Sequence, residues 1–227
     1  MRGTFRLVMI LVCFLLVSPL AQQSSLDLPL QTTFAAAVPL GDRETMLIAR
    51  RLVSSAKVPM GFEQAGPLPP SSGPRTPQPI AGLTMRQALD LIVGLDPRYA
   101  WREVDGVAVV RPSAAWSDPH DALNRHMQKI HWASVNARQT LDRLTSVIFD
   151  APVTVTPGFV TSSTFAVDIA DGTVIQVLNA AAKAGDLFWW TQTENRPLGS
   201  EALIVSLAGF DDRGGPAVTW PPTQLAK

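Results

Sequence analysis

His120, His126 and His131 are the side chains in this sequence best suited to hold a transition metal or to move a proton. Their spacing matches neither the i, i+4 pair of a metal-binding helix nor an alternating strand pair. They read instead as solvent-facing or half-packed histidines in a connecting stretch. Asp168-x-x-Asp171-Gly172 offers oxygens of the kind calcium takes. The full ligand loop is missing, and a turn followed by a helix cap accounts for both acids. Asp211-Asp212 reads as a solvated tail pair. The chain has no Gly-x-Ser-x-Gly elbow, phosphate-cradling glycine loop or His-Glu-x-x-His. The expectation is a protein that is not an enzyme and takes no cofactor and no metal.

Aromatic residues are the other candidates for function. Of six tryptophans, Trp101 and Trp190 read as core, and Trp116 and Trp132 as packing where two halves meet. Trp189 neighbours Trp190 and should face the other side of its strand. Trp189 and Trp220 are therefore the candidate contact anchors, since an exposed tryptophan supplies a large rigid surface; the other readings are burial of Trp189 under the neighbouring half and docking of Trp220 on the chain's own body.

Bulk properties narrow the class. Hydrophobic residues make up 46% of the 227 and charged residues 17%. That balance suits a packed globular chain. Formal net charge is zero, so nothing marks a nucleic-acid partner. Arg2 and Arg6 precede an uninterrupted apolar run from Leu7 to Val17, and Ser18-Pro19-Leu20-Ala21 follows. This is the pattern of a secretory signal over residues 1–21, too short for the roughly 20 apolar residues of a spanning helix. Cys13, the single cysteine, lies inside that run. Cleavage after Ala21 would leave a chain without disulfides and without a membrane span.

The elements that would position these residues follow from periodicity. Residues 22–33 read as a flexible lead. Met46, Ala49, Val53 and Ala56 form one helix face ended by Pro59, and Met60 starts a strand. Residues 66–79 are a Pro-rich loop. Thr84 caps a second helix bearing Met85, Ala88, Leu89 and Ile92. Asp105-Gly106 is a two-residue hairpin turn between alternating strands. After a junction over 113–135, Asn136 caps a helix with Leu141, Leu144 and Ile148. Thr173 caps another with Val174, Val177, Leu178 and Ala181. Strands follow at 187–193 and 202–207, and 211–227 reads as a flexible tail.

The two halves echo each other. Thr84-Met85-Arg86-Gln87-Ala88-Leu89 aligns with Thr173-Val174-Ile175-Gln176-Val177-Leu178 at an offset of 89. Carried on without a gap, the offset sets Tyr99 on Phe188 and Trp101 on Trp190. Pro59 aligns with Pro152 at an offset of 93. The fold class expected is α+β, with two small tandem modules, 34–112 and 136–210, each with two helices packed on short sheets.

Two segments carry a family resemblance: Met46 to Phe62 (MLIARRLVSSAKVPMGF) and Ile80 to Pro112 (IAGLTMRQALDLIVGLDPRYAWREVDGVAVVRP). They resemble the short N-terminal signalling module of secretins and TonB-dependent receptors. Residues 136–210 resemble it through their agreement with the first half. The resemblance implies a periplasmic setting and protein–protein contact without catalysis. The chain is thus expected to be an exported adaptor, sensor or assembly element with an envelope protein as partner, periplasmic or else secreted. The alternative is an exported small-ligand binder or enzyme of the cell envelope, and a third class is a structural subunit that oligomerises.

Overall fold

The computed structural model describes residues 24–30, 35–36, 42–65, 78–149, 155–156, 163–195, 201–210 and 217–220. Residues 1–21, read above as a secretory signal, the Pro-rich stretch 66–77 and the residues beyond Trp220 lie outside them. The chain is α+β. Its first half runs β1 (Ala35–Ala36), α1 (Asp42–Ala56), β2 (Met60–Glu63), β3 (Gln78–Pro79), α2 (Met85–Leu95), β4 (Tyr99–Val104) and β5 (Val107–Pro112). The second half repeats that order as β6 (His126–Val135), α3 (Ala137–Phe149), β7 (Val155–Thr156), β8 (Phe165–Thr173), α4 (Val174–Gly185), β9 (Leu187–Asn195) and β10 (Glu201–Gly209). It then adds β11 (Ala217–Trp220).

Local chemistry sets the helix starts. The Thr84 hydroxyl accepts from Gln87 N at 3.2 Å while Gln87 Oε1 accepts from Thr84 N at 2.8 Å. Asn136 and Gln139 make the same reciprocal bonds at 2.9 and 3.0 Å. At α4, Gln176 Oε1 accepts from Thr173 N at 2.9 Å. Each pairing satisfies donors that a helix end leaves open. The β4–β5 turn has φ of 54° at Asp105 and 77° at Gly106. Both lie in the left-handed region that a two-residue hairpin with native twist requires.

The sheets join the halves. Seven strands form one sheet in the order β4-β5-β2-β9-β10-β11-β7, and β1–β3 and β6–β8 form two antiparallel pairs beside it. The seam is β2 on β9, a parallel pairing of Met60–Glu63 with Phe188–Thr191. β4 runs antiparallel to β5, and β5 runs parallel to β2. β9 is antiparallel to β10. The two hairpins therefore enter the sheet in opposite directions.

That reversal places the helices on opposite faces. Met60, Phe62, Ala108, Val110 and Phe188 bury into a core with Leu52 and Val53 of α1 and Leu89 and Ile92 of α2. The alternate positions Val107, Val109, Leu187, Trp189, Val205 and Leu207 bury into a second core with Leu141 and Leu144 of α3 and Val177, Leu178 and Ala181 of α4. Period-two alternation in a sheet covered on both sides puts every position in a core. β5 accordingly reads as an unbroken buried run from Val107 to Arg111.

Three expectations about the connecting segments are corrected. The lead packs: Leu26 is 0% and Leu30 4% exposed, and Leu30 N donates to Leu83 O at 2.8 Å. The junction over 113–135 contains β6, paired antiparallel with β8. The tail over 211–227 contains β11, paired with β10 from Leu203↔Trp220 to Ser206↔Ala217. In all three, pairing or burial supplied by distant residues outweighs weak local propensity.

Trp189 lies across the seam. Opposite it in register is Gly61, and a Cβ at position 61 would overlap the indole Cε2 and Cζ2. Glycine is needed for space and not for a special φ. Gly61→Ala should lower stability by about 3 kcal/mol, the upper end of ordinary overpacking. Urea unfolding measures it, and a loss below about 1 kcal/mol would show that the indole is free to move aside.

Candidate functional site

Trp189 is not the exposed anchor that the sequence led one to expect. It is fully buried, and its Nε1 donates to Asn179 Oδ1 at 2.8 Å. Trp190 is only partly buried, and packs against the opposite core. The reason is a one-residue slip between helix and strand. α2 and α4 align at an offset of 89, but β4 starts at Tyr99 and β9 at Leu187, an offset of 88. A slip of one reverses every side chain of a strand. The true counterpart of Trp189 is Trp101, whose Nε1 donates to Asp90 Oδ1, also at 2.8 Å. Asp90 and Asn179 hold matching places on their helices. Trp220 ends β11 opposite Leu203; its side chain lies outside the described residues.

The histidines and acids of the sequence reading are brought together in pairs on one surface. His131 Nδ1 lies 3.6 Å from Asp168, and His126 Nδ1 lies 3.1 Å from Asp171. All four side chains are more than 60% exposed, so these are cross-strand surface contacts of small energetic weight. Asp168 and Asp171 sit in β8 rather than in the expected turn and cap. No group of three or more His, Cys, Asp or Glu side chains suited to a metal occurs among the described residues.

A charged cluster that sequence reasoning missed lies where the seam ends. Arg111 is fully buried. Its Nε donates to Glu63 Oε2 and its Nη1 donates to Asn124 Oδ1 at 2.7 Å. Nη2 stands 2.7 Å from Asp121 Oδ1, in ion-pair range but not aligned as a hydrogen bond. The Trp116 ring lies under the guanidinium, 5.2 Å from its centre. Arg111, Glu63 and Thr191 form one row across β5, β2 and β9. The row directly behind it is Val109, Gly61 and Trp189. The legible signal was Val107, Val109 and Arg111 at i, i+2 and i+4, which sets the arginine on a core face.

The cluster has a protonation state of its own. Burial pushes the Glu63 carboxyl up from 4.5 to about 7; the Arg111 charge pulls it down, and the neighbouring Asp121 carboxylate raises it again. The folded chain therefore holds this proton more tightly than the unfolded one. Glu63 stabilises the fold below its unfolded value, and loses that contribution as pH rises toward 7. Its side chain is 13% exposed, and it holds Arg111.

The accessible surface of interest is the outer edge of β4. β4 stands at the end of the seven-stranded sheet, and no described strand pairs with its free side. Val104 and Val107 flank the two-residue turn. The backbone groups of Arg102 therefore point to β5 and those of Trp101 and Glu103 point outward. Trp101 is half-buried, with the Arg86 guanidinium 5.8 Å from its ring centre. Arg86 also binds Glu103, and Asp27 at 2.7 Å. Arg102 is exposed on the other face, over Trp116 at 4.6 Å. At the tip of the hairpin, α4 grips the turn. Lys183 Nζ donates to Asp105 O at 2.9 Å, Gln176 Nε2 to Asp105 Oδ2 at 3.1 Å and Asn179 Nδ2 to Val104 O at 3.0 Å. The edge is thus fixed in place before any partner arrives.

A groove of about 330 Å³ runs elsewhere, between the Ser25–Asp27 turn and the end of α1. Leu28, Pro29, Leu30, Ala56 and Val58 line it, with only the hydroxyls of Ser25 and Ser55 for polar groups. Among the described residues no helix is long and apolar enough to cross a membrane. Comparison with protein-family models, with curated proteins and with solved structures finds no match.

Replacing Glu63 with glutamine keeps the shape of the cluster and removes its proton. The variant should gain stability relative to the parent between pH 5 and pH 8, by an amount of order 2 kcal/mol. Paired urea titrations at the two pH values measure the difference of differences. A value that does not change with pH would show that Glu63 is already ionised at pH 5.

Proposed function

We propose that this chain is an exported periplasmic protein that works by protein–protein contact and not by catalysis. It would serve as an adaptor, sensor or assembly element for an envelope protein. The observation that carries the reading is the outer edge of β4: six residues in regular register, no described strand on their free side, and a half-buried tryptophan alongside. Sheet edges of this kind accept a strand from another chain, with main-chain bonds supplying affinity and side-chain pockets supplying choice. Export is supported by Arg2, Arg6 and the Leu7–Val17 run. The periplasm is supported by the resemblance of residues 44–112 to the secretin and TonB-receptor module.

The rival reading, a small-ligand binder or enzyme, asks for polar groups converging on a cavity. The groove beside Ser25 is lined by apolar side chains and carries no carboxylate. The charged cluster around Arg111 is engaged in its own pairing.

Two measurements test the proposal together in a diderm host. Residues 1–40 fused to a reporter active only outside the cytoplasm should give activity that vanishes when Leu11 is replaced by arginine. A photoreactive amino acid at Arg102 should cross-link the full chain to an envelope protein, and one at Ser146, exposed on α3, should give far less of it. An inactive reporter, or equal yields from the two positions, would overturn the reading.

A further inference from the structure

We propose that the outer edge of β4 is a docking site for an extended segment of a partner protein. The segment runs parallel to β4, places a glycine opposite Trp101 and an aromatic residue next, and follows them with a neutral or basic residue. This deepens the contact role proposed above and rests on it.

The fold contains its own precedent. β9 is the second-half counterpart of β4, and its outer edge is occupied by β2 in parallel register. The two strands match residue for residue at an offset of 88: Ala100 with Phe188, Trp101 with Trp189, Arg102 with Trp190 and Glu103 with Thr191. Both tryptophans are tethered the same way, the indole N–H donating to a carboxylate or amide oxygen on the preceding helix, α2 or α4, at 2.8 Å in each case. On β9 this arrangement takes Met60, Gly61, Phe62 and Glu63 as its partner residues. The glycine is dictated by the indole, because any Cβ at Gly61 would overlap it. On β4 no described strand takes the same edge. Trp189 is 0% exposed while Trp101 is only half-buried and Arg102 and Glu103 are exposed.

The side chains of β4 adjust the preference. Arg102 replaces Trp190 opposite the aromatic position, and a guanidinium stacks well on an aromatic face. Glu103 replaces Thr191 opposite the position of Glu63. A carboxylate there would face Glu103, and like charges directly opposite are unfavourable. The partner residue at that place is therefore neutral or basic.

Blocked peptides read the proposal directly, titrated into the full chain by calorimetry. One copies residues 58–65 with lysine in place of Glu63 (Val-Pro-Met-Gly-Phe-Lys-Gln-Ala). It should bind saturably, and slow hydrogen exchange at the Trp101 and Glu103 amides. Changing its glycine to alanine should weaken binding at least tenfold, and restoring glutamate several-fold. Trp101→Ala in the protein should weaken binding as far as the peptide's own Gly→Ala change does. No binding at millimolar peptide, or binding indifferent to that glycine, overturns the docking site. A cross-link from Arg102 to an envelope protein would in that case still leave the contact role standing. Peptide binding without any cross-linked partner would remove the contact role and keep the site.

Discussion

The parallel pairing of Met60–Glu63 with Phe188–Thr191 joins the first-half strands of the large sheet to the second-half strands. Four residues on each side are a short ladder, and parallel pairs are slightly weaker per residue than antiparallel ones. Side chains make up the difference. Trp189 lies across Gly61, ties itself to Asn179, and so fixes the distance between β2, β9 and α4 at once. Behind it the Arg111–Glu63 pair closes the open end of the seam, with Asp121 and Asn124 brought in from the connecting segment. A buried pair of this sort is weak as a source of stability. Breaking it from one side is costly, at about 3–5 kcal/mol, because the remaining charge has no water to turn to. It acts as a constraint on register more than as glue.

The seam also explains why there are two cores. Because the hairpins enter the sheet in opposite directions, α1 and α2 cover one face and α3 and α4 the other. Neither half owns its sheet. Phe188 of β9 completes the core of the first half, and Val107 and Val109 of β5 complete the core of the second. The grip of Gln176, Asn179 and Lys183 on the β4–β5 turn is the same exchange made with hydrogen bonds.

Local structure was largely legible in the sequence. Thr84, Asn136 and Thr173 each announce a helix with a glutamine three residues on, and Asp105-Gly106 announces its turn, because these signals are complete within a few residues. The α+β class followed from them. What could not be read was anything decided at a distance. Leu26 and Leu30 look like scattered leucines until Ile80 and Leu83 are seen beside them. β6 shows no clean alternation because Lys129 has φ of 56° and breaks the period. β11 is four residues that hold as a neighbour of β10 and β7. The candidate anchor failed for a related reason. Repeat matching fixes helices well, but from helix start to strand start the α4–β9 run is one residue shorter than the α2–β4 run. That single residue carried Trp189 from the surface to the centre and left Trp101 as the tryptophan near an open edge.

The seam has a consequence in time as well as in space. Its two strands are separated by most of the described chain, so β2 has no partner on one side until Thr191 has been made. Until then the α1–α2 core lacks Phe188, and Gly61 faces no indole. Contacts so far apart in sequence close late and slowly. A chain that completes its fold only when its last third is present must hold its first half open until then, with β2 as the edge left waiting.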